Sequence, residues 1–326
     1  MSEIVGVHGR EILDSDGNPT VEAEVWLRSG VIGTASVPSS ALAEYFGATA
    51  PGGRGARYGG KGALEAAESI NELIEPELLG LDATDQAGID NIVKRSGANP
   101  ILCVSLAAAR AAAADHELPL YAYIGGLGPY LIPMPLMNLA FGGGAEFMIV
   151  PHAAPTFAEA LRMGTETYHA LRGILSEGGF VPNFRTGSEA FEYLAKAISQ
   201  AGFEPGVQIS IAADGFHSDG MHDPANIVTV RFDQAATLSE TLETISAAKM
   251  SGCGVALSNG PGGTEDTFIA DLAAAVAAGW IKTGAPADAM GTLTCNRLLR
   301  IEEALGRMAR YAGCRLNNLS KEANLK

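Results

Sequence analysis

Positive charge is scarce in this sequence: 22 Lys and Arg stand against 37 Asp and Glu, for a net charge of −15. Nucleic-acid binding needs clustered Lys and Arg against the phosphates, so that class of partner is excluded. No basic run marks a membrane surface either. Long apolar runs are missing too, and no uncharged stretch reaches the ~18 residues that a membrane span requires. The opening MSEIVGVHGREILDS carries charges where a signal peptide has a continuous apolar core. Four cysteines (Cys103, Cys253, Cys295 and Cys314) are widely scattered with no CxxC pair, which excludes a disulfide frame or a cysteine zinc site. Aromatics make up only 6% of the chain while 47% is hydrophobic, the texture of an alanine- and glycine-rich α/β enzyme. A cytoplasmic protein with no nucleic-acid or membrane partner is the expectation.

At 326 residues the chain has room for two domains. Residues 4–36 read as two or three strands, with Asp16-Gly17-Asn18-Pro19 as a turn before the alternating run 20–27. Residues 39–62 form a glycine-rich loop, longer than compact domains usually carry without a function. There is no GxxxxGK[ST] in it, which argues against a phosphate cradle. Helical spacing follows at 63–77, 85–94 and 100–114. Pro133-Met134-Pro135 marks a boundary, so strands followed by helices make an α+β first domain over residues 1–125.

From there to residue 326 the pattern becomes repeated strand and helix units. Strands are expected at 135–139, 146–151, 207–212, 227–232, 255–257 and 280–281. Helices are expected at 156–176, 188–201, 237–250, 264–279 and 297–304. Such alternation indicates a parallel barrel or a doubly wound sheet. Lys282 closes the strand cue at Trp280-Ile281, the place where α/β barrels put reactive groups, although a surface lysine closing a strand fits the spacing equally well.

Many ordered segments resemble enolase. They include REILDSDGNPTVEAEV (10–25), GANPILCVSLAAARAAAA (97–114), MPLMNLAFGGG (134–144), EFMIVP (146–151), EGGFVPN (177–183), GGTEDTFIADLA (262–273), IKTG (281–284) and NRLLRIEEALG (296–306). The resemblance implies an α/β fold: an N-terminal α+β cap domain followed by a modified TIM-like barrel with its site at the strand ends. It implies a lysine base at Lys282, an acid at Glu177 and a further glutamate at Glu146. It also implies two magnesium ions holding the carboxylate and phosphate of 2-phosphoglycerate.

Departures from the family pattern fall on the metal site. The first metal carboxylate, in DxAASEF, aligns with Ser210. The two others are expected between 220 and 226, where the chain runs from SDGMHD straight into ANIVTV, so their strands and helices are read as deleted and the barrel as truncated. The loop serine of the second magnesium aligns with Leu42. The phosphate-binding HRSGE aligns with residues 259–263, beginning at Asn259, and the lysine of IKFNQ is Arg231. The expectation is a site without metal or other cofactor, with Lys282, Glu177 and Glu146 catalytic and Arg231, Ser210, Asp214 and Asn259 binding substrate. Asp214, His217 and His152 are further candidates for lost ligands or for turn and loop structure.

This constellation points to a metal-independent lyase or isomerase of specialised metabolism that takes a proton from the carbon next to a carboxylate. The alternative is a non-catalytic enolase-like protein that binds a partner or a small anion. A barrel short of strands leaves an open edge, which a homodimer or higher homo-oligomer would cover.

Overall fold

The computed structural model describes residues 2–41, 57–96, 101–175, 182–214 and 227–313. Residues 42–56 of the glycine-rich loop expected at 39–62, Leu42 among them, lie outside the described residues, as do Glu177, His217 and the 220–226 junction. No described helix is long and apolar enough to cross a membrane.

The chain divides into two compact units. The first comprises Met1–Leu127, Val230–Ser251 and Ser258–Leu272, and the second Gly128–Thr229, Gly252–Leu257 and Ala273–Lys326. Two segments from late in the sequence thus group with the N-terminal residues.

In the first unit, β1 (Ile4–Leu13), β2 (Pro19–Leu27) and β3 (Ile32–Ser36) form an antiparallel sheet in chain order. Around it come a helical run at Leu64–Leu78, α1 (Gln86–Arg95), α2 (Leu102–Asp115) and α3 (Leu120–Gly125). Helix α2 is apolar on every side and buried almost throughout, as a core helix must be. Its approach to β3 is set by Gly33: a Cβ there would lie 2.1 Å from the Ala107 carbonyl and 2.4 Å from the Ala111 nitrogen. Only glycine permits that approach.

A buried carboxylate organises the returning segment Val230–Ser251. Asp90 accepts hydrogen bonds from Gln86, from the Ser105 hydroxyl at 2.6 Å and from the Ser239 amide at 2.9 Å. Ser105 in turn accepts from the Leu238 amide. Those two amides open the helix Leu238–Met250, whose unpaired first-turn donors need such acceptors. Asp266 does the same for the second returning segment, gripping Arg110 with both carboxylate oxygens and accepting from the Ser36 and Phe268 amides.

A seven-stranded sheet, most of whose residues fall in the second unit, is built on β4 (Met134–Gly142), with β5 (Ala145–Val150), β6 (Asn183–Phe184), β7 (Ser210–Asp214), β8 (Ile227–Arg231), β9 (Gly254–Ser258) and β10 (Trp280–Lys282). Its order is β7-β5-β4-β10-β9-β8, with β6 beside β4. Among the described strands none pairs β7 to β8, and this order is in keeping with a shortened α/β barrel.

One strand departs from the parallel alternation, as a modified barrel allows. β5 is antiparallel to both β4 and β7, because Gly143 and Gly144 adopt positive φ and close a tight hairpin. Strand β7 also begins three residues later than the sequence cue at 207, since Glu204 and its neighbours form a turn closed by the Val207 and Gln208 amides. The helix expected at 264–279 is shorter, Phe268–Ala275, because Thr264 and Asp266 cap its approach. The last helix starts earlier, at Ala289, where Asp288 accepts from the Gly291 amide.

Candidate active site

Strand registers decide which side chains share a face. Lys282 pairs with Leu136, Met148 with Asn138, Glu146 with Asp214 and Val150 with Ser210. Directly paired residues point to the same side, and side chains alternate along a strand. Lys282, Asn138, Glu146, Asp214 and Ser210 therefore all belong to one face of the sheet.

Direction decides which end they occupy. β10 runs with β4, while β5 runs against both β4 and β7. The last residue of β10, the last of β7 and the second of β5 consequently meet at one end. These are Lys282, Asp214 and Glu146. The Lys282 ammonium donates to Glu146 Oε2 at 3.2 Å and forms a short ion pair with Asp214 Oδ2. Lys282 is 21% exposed against 40% for Glu146 and 56% for Asp214, so the cation is the sheltered member of the group. Burial by itself lowers the lysine pKa. The Asp214 hydrogen bond and the charges of Glu146 and Asp214 outweigh it and raise the pKa above its ordinary value. In this arrangement Lys282 holds its proton. The lowered value that a free base at neutral pH would need is not what the structure provides.

Ser210 stands apart from this cluster. It lies four residues before Asp214 on the same strand, about 13 Å away at the usual strand rise. Its hydroxyl lies 3.2 Å from His152 Nδ1 instead. Arg231 belongs to the first unit, where Asp233, with no exposed side-chain surface, takes Nε at 3.1 Å and an Nη at 2.6 Å. A Cβ on Gly260 would fall 2.3 Å from the same carboxylate, so the glycine in the replaced HRSGE segment makes room for Asp233. Asn259 stands just before it, also in the first unit. Glu177 and His217 fall outside the described residues.

Sequence reasoning missed Asn138. Its only signal was a polar residue at an inward position of an otherwise apolar strand.

The family profile described as "Enolase, N-terminal domain" matches residues 4–124, and "Enolase, C-terminal TIM barrel domain" matches residues 129–223 and 218–320. A protein named "Enolase" from Acidothermus cellulolyticus is 37% identical, with 96% of this chain and 97% of that protein covered. The comparison runs over 416 positions, more than the 326 residues available, so the relative carries stretches with no counterpart here.

These matches overturn the expectation of a site without a divalent cation, because the resemblance to that family carries magnesium with it. The physical reason the expectation failed lies in β7. The expectation rests on the aspartate missing at Ser210, but Asp214, at the other end of the same strand, pairs with Glu146 and supplies a carboxylate there. Two carboxylates converging on one cation, completed by water and a substrate anion, form an ordinary donor set for magnesium. Among the described residues no group of three or more His, Cys, Asp or Glu stands at ligand spacing, and Glu146 and Asp214 are two carboxylates that would fit such an ion.

Proposed function

The chain belongs to the enolase family, and on that premise we propose that it is an acid–base lyase for a small anionic carboxylate, removing the proton beside the carboxylate and expelling a group from the next carbon. One observation carries the reading: the Lys282 ammonium and the Glu146 and Asp214 carboxylates meet at the strand ends, where this barrel architecture places its chemistry.

When bound by Glu146 and Asp214, magnesium would supply positive charge against the developing enolate. The chain's own groups do the proton work. Lys282 Nζ accepts the α-proton in its neutral form, and Glu146 and Asp214 must first be drawn away from it. The C–H electron pair becomes the new C=C bond. The hydroxyl leaves from the adjacent carbon as water with a proton from an acid, the role that the resemblance gives to Glu177. Arg231 in place of the family lysine, and the sequence Asn259-Gly260-Pro261-Gly262-Gly263 in place of HRSGE, support a substrate preference that differs from that of glycolytic enolase.

The test is exchange of the α-hydrogen in deuterated water, followed by NMR, for 2-phosphoglycerate, glycerate and malate with millimolar magnesium. Exchange with at least one of them is expected, falling about 100-fold or more in Lys282→Ala. Full exchange in that variant would overturn the base role. A second, non-catalytic reading is favoured by the ion pairs that keep the proton on Lys282, and anion binding without any exchange is its signature. We also propose that the open sheet path is covered by a second copy of the chain. A monomer mass by light scattering at micromolar concentration would rule this out.

A further inference from the structure

Asn138 occupies the layer between the root of Lys282 and Glu146. Leu136, two residues before it on β4, pairs with Lys282, and Met148, its own partner, lies two residues from Glu146. The Lys282 side chain reaches Glu146, so it rises past this layer. The β4–β5 register slips between Asn138 and Ala140, directly after the asparagine. Bulges of this kind often re-aim side chains beside active sites.

The Asn138 amide is uncommitted. Its Oδ1 is sealed from solvent and has no hydrogen-bond partner, although the residue as a whole is only partly buried. The register sets this residue on the face shared with Lys282 and Glu146, and no hydrogen bond joins its Nδ2 to another described residue. Buried acceptors are almost always satisfied, and one left without a donor costs stability. A leucine of similar shape would avoid that cost. Retaining an asparagine therefore suits a group that works on something outside the chain.

We propose that Asn138 orients the substrate, its Nδ2 donating a hydrogen bond to an anionic oxygen of the small carboxylate held beside Lys282. The inference rests on the lyase reading above and adds a second, neutral donor next to the ammonium.

Two variants test it. Asn138→Leu keeps the shape and removes the donor, and Asn138→Asp sets a negative charge against the anion. Calorimetric titration uses 2-phosphoglycerate, glycerate and malate with magnesium present, and thermal melting is recorded without ligand. The tightest of the three is expected to bind roughly ten-fold more weakly to Asn138→Leu and still more weakly to Asn138→Asp. Asn138→Leu should melt at or above the wild-type temperature. Wild-type affinity in both variants, or a melting point several degrees lower in Asn138→Leu, overturns the proposal, the latter by showing the amide to be structural. Failure of the wild type to bind any of the three carboxylates overturns the lyase reading, and this proposal with it.

Discussion

Replacing Lys282 by methionine removes the charge at the strand ends while nearly keeping the side-chain volume. Two ion pairs disappear, to Glu146 at 3.2 Å and to Asp214. Exposed pairs contribute about 0.2–1 kcal/mol each, and breaking a fully buried pair costs about 3–5 kcal/mol. With a sheltered lysine but half-open carboxylates, this group falls toward the lower figures. After screening, the expected loss is about 1–2 kcal/mol, including the new repulsion between the carboxylates. For a domain of this size that corresponds to a melting temperature lower by about 2–6 °C. The sign with pH is fixed by the raised lysine pKa. Its stabilisation is fully present below the ordinary lysine value of 10.5 and is lost as pH rises through the higher folded-state value. Wild type and variant should therefore converge in strong alkali. Magnesium supplies the opposite test, because ion and ammonium compete for one pair of carboxylates. Millimolar magnesium should raise the variant's melting temperature more than the wild type's. Equal melting at pH 7, or an equal response to magnesium, refutes the argument.

Three further substitutions probe the frame around the site. Asp90→Ala leaves the Ser239 amide and the Ser105 hydroxyl without their acceptor, and urea denaturation should show a loss of about 3 kcal/mol; a loss under 1 kcal/mol would deny Asp90 its organising role. Arg231→Met leaves the buried Asp233 without its cation, so a loss of about 3 kcal/mol is expected in the same assay. Unchanged stability there would mean that the guanidinium is free for ligands and not committed to the fold. Gly33→Ala drives a methyl into the Ala107 carbonyl and the Ala111 nitrogen, and should cost about 2–3 kcal/mol by chemical denaturation. A neutral result would show that β3 and α2 have room to separate.

The fold was largely legible because its signals are local. The alternation in 20–27, the alanine-rich run around Leu102–Asp115 and the ordered motifs each specify an element within a few residues. Hairpin direction was less legible. Nothing in the strand and helix alternation reports that Gly143 and Gly144 turn β5 back antiparallel to β4. Lys282, Glu146 and Ser210 all stand out by motif, but motif alone does not say that register brings Lys282 to Glu146 and leaves Ser210 at the other end of β7 from Asp214.

By itself the sequence determined the family, the order of strands and helices, and the lysine at the end of β10, because short-range pattern and motif carry that information. Only the tertiary structure decided that Lys282 meets Glu146 across 136 residues and Asp214 across 68. It also decided that Asp233 takes the Arg231 guanidinium and that the Asn138 amide is left uncommitted on the shared face. Those outcomes depend on strand direction, on register and on a one-residue bulge. A slip of one residue turns a side chain to the other face, and nothing local to Asn138 or Asp214 reports which register the partner strand will take.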